Sequence, residues 1–300
     1  MDEITLASHE LQLTLDPDCG GRITSLVYRP TGQELLWRQP LLVDWPTYGV
    51  PESQADVQGW DECCPAIGPG PFPPGPWAET HNPAQGEVYA LPWQLVEAGE
   101  AHATLQVHGL RFPYHLQREV RLGNAGEISL RYRLRNHAGV PLPCIWSAHP
   151  LLTAPAGAQI VLPAGVRETI LDSSEGGQLG NPYDHVAWPQ ARRLDGSGTD
   201  LTRVEPGSGW GDKLYVPTMP EGFCRLERVD GPSLTFRWDT DVVRSLGIWI
   251  DTRGAGQARV ALEPCAGYPD LMHEAAAWGS YMLLAPYEER TWEIRLTVEA

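Results

Sequence analysis

The chain has 300 residues, of which 42% are hydrophobic and 20% charged, a composition typical of a globular protein with a sizeable core. Its formal net charge is −16, which argues against nucleic acids and anionic membrane surfaces as partners and weakly against heavily phosphorylated substrates. No stretch approaches the roughly 18 consecutive apolar residues that a membrane span needs. We therefore expect neither a nucleic-acid partner nor a membrane partner.

The first half of the chain predicts short strands interrupted by one long irregular segment. EITLASHELQLTL predicts a hairpin, and GRITSLVY a third strand. From Gly59 to Pro92 the sequence is rich in proline and glycine and alternates little, which is typical of a functional loop. After the strands PWQLVEA and ATLQVHGL, a hairpin joins HLQREVRL to EISLRYRLRNH across GNAG. Apolar residues from Ile128 to Leu134 alternate there with polar ones.

The second half of the chain continues the same pattern. Predicted strands are AQIVLP, DKLYVP, CRLERV, SLTFRW, SLGIWIDT, RVALEP and TWEIRLTVEA, and a second irregular stretch covers Leu194 to Asp212. Only DLMHEAAAWGSYMLL has the composition of a helix longer than one turn. Many short strands punctuated by 31 glycines and 28 prolines predict an all-β sandwich or barrel, arranged as one domain over residues 1–300.

Cysteine spacing and missing motifs narrow the chemistry. The six cysteines form no C-x-x-C pair, and Cys63 adjoins Cys64, which suits neither a disulfide framework nor a zinc site. The N-terminus has no signal-peptide pattern, so we expect a reduced cytoplasmic protein. Phosphate-loop, dinucleotide-binding, nucleophile-elbow and H-E-x-x-H motifs are missing from the sequence. We therefore expect no cofactor and no metal, and acid–base chemistry by ordinary side chains.

Two residues are the first candidates for acid–base chemistry. Glu263 stands at the end of the predicted strand RVALEP, where the following Pro264 would hold it in place. The ordinary alternative is a strand-end glutamate in a salt bridge with an arginine. His149 follows an apolar stretch in PCIWSAHPLL, where we expect it at the end of a strand, and histidine titrates near neutrality. Its ordinary alternative is a half-buried histidine with satisfied hydrogen bonds.

Three further residues are weaker candidates. Asp212 lies in GWGDKLYV, where the alternative is a turn aspartate. His81 and Glu62 lie in the long irregular segment and could line a pocket or be solvated loop residues. Twelve tryptophans are many for this length, and some of them could provide flat surfaces for a ring-shaped ligand.

The order of five segments resembles the aldose 1-epimerase (galactose mutarotase-like) family. These segments are CGGRITSLVYRPTGQELLW, GEVYALPWQL, SAHPLL, GDKLYV and VALEPCAGYPD, and the resemblance runs from about Cys19 to the C-terminus. It implies a large antiparallel β-sandwich (a supersandwich) and an isomerase that interconverts the α and β anomers of a sugar. By motif position, Glu263 resembles the family's general base, His149 its general acid and Asp212 an aspartate that binds sugar hydroxyls.

The sequence departs from the family pattern at the residues that hold the sugar. Gln85-Gly86 stands where mutarotases carry His-Gly, and His81 is a possible substitute for that histidine. Trp249 stands where the family places a glutamine in a strand. The proposed catalytic pair is thus kept while the sugar-binding residues differ, so the identity of the sugar stays open.

Three functions are compatible with these residues. The first is an aldose 1-epimerase-like enzyme, a monomer or homodimer, that acts on a small sugar without a cofactor. The second is a carbohydrate-binding protein of the same fold without useful catalysis. The third is a hydrolase or lyase that uses Glu263 and Asp212 as a carboxylate pair, which would have to be roughly 5–9.5 Å apart for glycoside cleavage.

Overall fold

The computed structural model describes residues 2–38, 47–50, 58–176, 178–254 and 256–300. In this part of the chain the larger sheet has eleven strands, numbered here in chain order. From edge to edge they are β1 (Ile4–Ala7), β2 (Leu11–Asp16), β3 (Arg22–Tyr28), β5 (Trp60–Cys63), β13 (Ser147–Ala154), β24 (Ala258–Cys265), β23 (Ser245–Asp251), β20 (Gly211–Val216), β15 (Glu168–Glu175) and β16 (His185–Ala187), with β4 (Gln33–Glu34) paired to β3.

The second sheet has nine strands in the same described ranges. They are β19 (Arg203–Val204), β14 (Ala158–Val161), β21 (Phe223–Glu227), β22 (Ser233–Trp238), β26 (Glu289–Glu299), β11 (Glu127–Asn136), β10 (Tyr114–Leu122), β9 (His102–His108) and β8 (Gln94–Ala98). Three short ribbons pair β12 (Leu142–Cys144) with β25 (Met282–Leu284), β17 (Gln190–Arg192) with β18 (Gly198–Asp200), and β6 (Gly70–Pro71) with β7 (His81–Asn82).

The core lies between the two large sheets. Along β11 buried and exposed residues alternate, so that Leu130 and Leu134 enter the core while Arg131 stays outside. Ile248 and Leu262 enter the same core from the larger sheet. The two sheets therefore bury one face each, which is how a sandwich satisfies the period-two pattern of its strands. The predicted all-β sandwich is confirmed.

Most of the predicted elements are present. The N-terminal hairpin is β1–β2, and the GNAG hairpin is β10–β11 with Leu122 opposite Ile128. One helix, α1 (Met272–Trp278), lies in the segment predicted to carry it, and it ends at Gly279, whose φ of 66° is left-handed. In the described residues no helix has the length and apolar character needed to span a membrane.

Two strands of four or more residues, β5 and β15, were missed, and most of the two- and three-residue strands were missed as well. Strand β5, with sequence WDEC, is buried on both faces and places the adjacent acids Asp61 and Glu62 on opposite faces, so its sequence shows no alternation of apolar and polar residues. Strand β15 carries polar residues in its second half. His149, expected at the end of a strand, is instead the third residue of the eight-residue β13, which pairs with neighbours on both sides.

Candidate active site

The middle of the larger sheet carries a row of polar side chains on one face. Asp61 of β5 lies opposite His149 of β13, and Glu263 of β24 lies opposite Gly247 of β23. Gly247 in turn lies opposite Tyr215 of β20. Opposed residues of an antiparallel pair project to the same face of the sheet. Strands that are far apart in sequence therefore bring Asp61, His149, Glu263 and Tyr215 together.

This row faces away from the second sheet. The neighbouring strand residues Leu214, Ile248 and Leu262 point to the opposite face and are fully buried in the core. Because side chains alternate along a strand, the row lies on the outer face of the larger sheet. The segment that follows β5 packs over it, and the Gly68 amide donates to the Asp270 carbonyl at 2.8 Å. The row is thus covered by loops rather than by the second sheet.

Two buried groups contact Glu263 directly. The Lys213 ammonium donates a hydrogen bond to Glu263 Oε2, and His149 Nε2 lies 3.7 Å from Glu263 Oε1. Lys213 lies two residues before Tyr215 in β20 and therefore shares its face of the sheet. Glu263 does take part in a salt bridge, but its partner is a buried lysine of the same row rather than an arginine. Lys213 thus holds one carboxylate oxygen of Glu263 by a hydrogen bond, whereas His149 lies beyond hydrogen-bond distance of the other.

Gly247 leaves the space that this contact needs. A Cβ atom at residue 247 would lie 3.0 Å from Glu263 Oε2 and 3.1 Å from Cε1 of the Tyr215 ring. Both distances are shorter than ordinary carbon contacts. The glycine therefore allows the Glu263 side chain to lie across β23 and reach Lys213 on β20.

Two aspartates extend the row beyond Lys213. The Tyr215 hydroxyl donates to Asp270 Oδ1, and Lys213 Nζ lies 3.9 Å from the same oxygen. The Asp270 amide donates to Asp172 Oδ1 at 3.3 Å. Burial, followed by the charge of Asp270, raises the pKa of Asp172 to about 7. Three carboxyl groups thus surround one ammonium group.

The charge states of the central pair follow from burial. Burial raises the pKa of Glu263 to about 7, with a further upward contribution from Asp270, while Lys213 opposes the shift. Burial lowers the pKa of Lys213, but the charges of Asp270, Glu263 and Asp172 outweigh that effect and raise it above its usual value. Near neutral pH, Glu263 can therefore exchange a proton while Lys213 stays charged.

His149 is neutral in this setting. Burial, then the positive charges of Lys213 and Arg22, lowers the pKa of the His149 imidazole to about 3. Arg22 is bound to Asp61, since its Nε donates to Asp61 Oδ1 at 2.6 Å. The positive charge beside Glu263 is accordingly carried by Lys213 and not by His149.

Two polar atoms at the centre have no hydrogen-bond partner in the described part of the chain. They are Glu263 Oε1 and His149 Nδ1, and both are buried. Buried polar atoms in folded proteins are nearly always paired, so each unpaired one calls for an explanation. A polar ligand between Glu263 and His149 would satisfy the carboxylate oxygen and place a hydroxyl group within reach of a base.

The centre is least buried at its two aspartates. Glu263 is 0% exposed and His149 is buried, whereas the Asp270 side chain is 16% exposed. Asp172 is likewise only partly buried. Exposure therefore increases from Glu263 toward the two aspartates, and a ligand would reach the centre from that direction.

Asp212 does not lie in this row. It shares the face of Trp210 and Leu214, which belong to the core, and Ser174 Oγ donates to its Oδ1 at 2.5 Å. Lys213, the next residue, faces the centre instead. A shift of one residue along a strand exchanges the two faces, and the apolar alternation of GDKLYV already places Asp212 with Leu214. The carboxylate pair of Glu263 and Asp212, which a hydrolase or lyase would use, therefore does not form on one face.

Glu62 also faces the core rather than the row. It lies opposite Ala148, and its Oε1 accepts hydrogen bonds from Arg118 Nη1 at 3.0 Å and from the Tyr132 hydroxyl at 2.8 Å. Arg118 and Tyr132 belong to the second sheet, so this cluster joins the two layers of the sandwich. Its neighbour Asp61 is the residue of β5 that belongs to the polar row.

The two candidates of the long segment differ in position. Gln85 is buried, and its Oε1 accepts a hydrogen bond from Cys63 Sγ at 3.3 Å. Cys63 lies two residues beyond Asp61, on the same face of β5 as the row, so Gln85 adjoins the centre. His81 is exposed in the ribbon β6–β7, and its carbonyl accepts from Arg111 at 3.2 Å. Only Gln85 of these two is thus placed beside the row.

Trp249 lies on the same face of the sheet as the row. It is two residues after Gly247 in β23 and lies opposite Lys213. Its ring is half-buried and carries the Arg259 guanidinium at 5.2 Å, which also lies 4.4 Å from the Trp37 ring. Arg259 is in turn paired with Asp251. One face of the Trp249 ring is therefore already occupied by a cation of the protein.

Five residues of the centre were not predicted from the sequence, and they are Asp61, Lys213, Tyr215, Asp270 and Asp172. The alternation of GDKLYV was enough to place Lys213 and Tyr215 on one face, opposite to Leu214. Nothing in the sequence signalled that Asp270 and Asp172 would meet, because 98 residues separate them. Across the described ranges, no group of three or more histidine, cysteine, aspartate or glutamate side chains has the arrangement of a metal site.

Comparisons with known proteins identify the fold of this chain through solved structures. No protein-family model and no curated protein matches the sequence. Among solved structures, a galactose mutarotase-like protein from Lactobacillus casei is 16% identical with a TM-score of 0.68, and 99% of this chain and 100% of that chain align.

Two further solved structures are similar to this chain over nearly its whole length. A protein from Synechocystis sp. PCC 6803 is 16% identical with a TM-score of 0.73 over 99% of this chain and 96% of that chain. An Escherichia coli K12 protein provisionally named an aldose 1-epimerase is 19% identical with a TM-score of 0.69 over 99% of both chains. The chain therefore has the galactose mutarotase-like fold.

Proposed function

We propose that this protein is an aldose 1-epimerase-like isomerase that interconverts the α and β anomers of a neutral sugar. One observation carries the proposal: Glu263, fully buried with a pKa of about 7, has an unpaired carboxylate oxygen facing His149. A base of this strength suits proton transfer at neutral pH. The solved structures with mutarotase-like names support the same activity by fold.

Glu263 acts as the general base. It takes the proton of the C1 hydroxyl as the C1–ring-oxygen bond breaks and the ring oxygen receives a proton from an acid. The open-chain aldehyde then rotates about its C1–C2 bond, and the ring closes on the other face with the two proton transfers reversed. Atoms and charges balance without a further reactant, because each proton taken from one sugar oxygen is matched by one given to another.

The general acid must carry a proton that it can give to the ring oxygen. His149 and Lys213, which both contact Glu263, therefore have different roles. His149 is neutral at working pH, since its pKa is lowered to about 3, and so supplies a hydrogen bond that orients the sugar. Lys213 carries the proton. When Glu263 accepts a proton it loses its charge, and one of the three carboxylates that raise the pKa of Lys213 disappears. Lys213 thereby becomes a stronger acid at the step at which the ring oxygen needs one.

Charge indicates which sugars fit. Arg22 is bound to Asp61 and Lys213 to Glu263, while Asp172 and Asp270 stand where the centre is most exposed. An anionic sugar would meet carboxylates on the way in and no free cation in the described part of the centre. We therefore assign neutral aldoses as substrates, with Gln85 as a hydrogen-bonding group for sugar hydroxyls.

Anomer exchange measured by NMR tests the proposal. Equilibrated glucose, galactose and other aldoses are mixed with the protein, and exchange between the two anomeric signals is compared with buffer. We expect exchange above the buffer rate, reduced by about 10²–10⁴-fold in Glu263→Gln. Glu293→Gln, on the outer face of the second sheet, is the matched control and retains full exchange. Exchange equal to buffer for every sugar would favour a binding protein of the same fold.

A further inference from the structure

Three histidines meet on the outer face of the second sheet. His108 is the last residue of β9, His115 the second residue of β10, and His137 follows β11. The ring centroids of His108 and His115 lie 4.6 Å apart, and the His137 ring lies 6.0 Å from the first and 6.2 Å from the second. The adjacent residues Val107 and Leu116 point into the core, so His108 and His115 face solvent. We call the three residues the histidine cluster.

The backbone places the cluster. His108 and His115 lie directly opposite each other across β9 and β10. Side chains opposed in this way have Cβ atoms about 4.5–5.5 Å apart. His137 is tied to the connection between these two strands, because its amide donates to the Pro113 carbonyl at 2.7 Å. The three imidazoles are therefore neighbours by strand pairing and not by the conformation of long side chains.

One ring of the cluster has its second nitrogen already occupied. His115 Nε2 donates to Gln106 Oε1 at 3.1 Å, and Gln106 Nε2 donates to Gln94 Oε1 at 2.9 Å. An amide oxygen only accepts hydrogen bonds, so the His115 proton lies on Nε2 and the lone pair on Nδ1. Metal-binding histidines almost always donate their other ring N–H to an oxygen acceptor, which fixes the tautomer and the ring orientation. Gln106 gives His115 this outer hydrogen bond.

The spacing of His108 and His115 suits one shared ion. Two imidazoles that bind one ion at neighbouring coordination positions, with metal–nitrogen distances of about 2.0–2.1 Å, have ring centroids about 4.5–5 Å apart. The observed 4.6 Å lies in this range. The rings stack at 27°, and rotation about their side-chain torsions would turn both lone pairs toward one point. Three ligating side chains do not converge anywhere in the described ranges, so the chelate consists of two imidazoles with His137 beside it.

Exposure and charge admit a cation at this place. His108 and His137 are exposed, and His115 is half-buried. Arg135 lies opposite His115, and Glu289 lies opposite Arg135, so the guanidinium group nearest in register is faced by a carboxylate. The net charge of −16 favours cations at the surface of the whole chain. A hydrated metal ion can therefore reach the two rings from solvent.

We propose that His108 and His115 form a chelating site for a divalent transition-metal ion of the Ni²⁺, Cu²⁺ and Zn²⁺ class, with Gln106 as the outer acceptor that orients His115. Imidazole nitrogen is a preferred ligand of these ions, whereas Mg²⁺ and Ca²⁺ take oxygen ligands. A bound ion would link β9 to β10. The site lies on the outer face of the second sheet and Glu263 on that of the larger sheet, so metal binding is independent of the proposed isomerase.

Calorimetric titration of the untagged protein with NiCl₂ at pH 7.5 tests the site. Two imidazoles held together bind about 10²-fold more tightly than one, because the second acts at a high effective concentration. We expect one Ni²⁺ per chain, and binding weakened by about 10²-fold in His108→Gln and in His115→Gln. Gln106→Leu should weaken binding by about tenfold through loss of the outer hydrogen bond. His185→Gln, at an exposed histidine of the larger sheet, is the matched control and keeps full affinity.

A second measurement needs no variant. In NMR spectra of the unchanged protein, paramagnetic Ni²⁺ should broaden the ring signals of His108 and His115 at concentrations that leave those of His185 and His273 sharp. No binding of Ni²⁺, full affinity in His115→Gln, or equal losses in His115→Gln and His185→Gln overturns the site. Mg²⁺ bound as tightly as Ni²⁺ also overturns it, because imidazole ligands would not hold Mg²⁺. Circular dichroism verifies that each variant is folded.

Discussion

Two fully buried glutamates stand on opposite faces of the larger sheet, and burial raises the pKa of each to about 7. Glu62 is paired with Arg118, and Glu263 with Lys213. Each also has one carboxylate oxygen without a hydrogen-bond partner in the described part of the chain. By charge, burial and pKa the two sites are nearly alike.

Glu62 and Glu263 differ in the residues that surround them. Glu62 is enclosed between the sheets, where Arg118 and Tyr132 hold one oxygen and apolar side chains fill the remaining space. Glu263 faces a neutral histidine in a centre whose exposure to solvent increases toward Asp270. A perturbed pKa therefore does not identify a functional carboxylate by itself; the access of a ligand to it decides.

We expect the largest effect on the free energy of unfolding from a substitution that breaks the buried ion pair of Arg118 and Glu62. Arg118→Met leaves Glu62 buried without a cation, and loss of one partner of a buried ion pair costs about 3–5 kcal/mol. We expect the free energy of unfolding, measured by urea denaturation, to fall by that amount while exchange per folded molecule stays unchanged. Lys213→Met should be less destabilising, because the exposure of the centre at Glu263 to solvent increases toward Asp270. If Arg118→Met and Lys213→Met lower the free energy of unfolding equally, the two sites do not differ in the way described.

The next effect concerns the chemistry of Lys213. Lys213→Arg keeps the positive charge beside Glu263, but a guanidinium group does not release its proton near neutral pH. We expect anomer exchange to fall by about 10²-fold or more, with sugar affinity by calorimetry retained. If Lys213 serves only to hold Glu263, the arginine variant will exchange anomers at the rate of the unchanged protein.

The pH profile distinguishes the two candidate acids. Protonated Glu263 cannot act as a base, so exchange above buffer should rise with pH through a midpoint of about 7 and level off about one pH unit above that midpoint. It should then stay level to pH 9, since the neighbouring carboxylates raise the pKa of Lys213 above its usual value. A fall in exchange between pH 7 and pH 9 would point to an acid with a lower pKa than that of Lys213.

The smallest effect concerns the space beside Glu263. Gly247→Ala places a Cβ atom 3.0 Å from Glu263 Oε2, so the carboxylate must shift. We expect exchange to fall by about tenfold through misplacement of the base, with a stability loss of about 1 kcal/mol. Gly211→Ala is the control, because its added Cβ would meet nothing closer than 3.6 Å. Comparable losses in both variants would show a general effect of glycine replacement.

Much of the fold was accessible from the sequence. Alternation in EISLRYRLRNH follows from the geometry of a strand with one buried face, so local pattern predicts such elements and the sandwich. The pattern failed at β5, because the adjacent acids Asp61 and Glu62 lie on opposite faces of a strand that is buried on both sides. The motifs also singled out Glu263 and His149 as candidates, and the structure brings them within 3.7 Å of each other.

What the sequence by itself determined is therefore the all-β class, most strands and the two central candidates. Only the tertiary structure decided which polar residues share a face and a centre. Asp270 and Asp172 meet through loops that are distant in sequence, and Glu62 and Glu263 are told apart by what lies opposite them. The physical reason is that burial and electric field at a side chain depend on neighbours brought by other strands, and sheet pairing sets those neighbours.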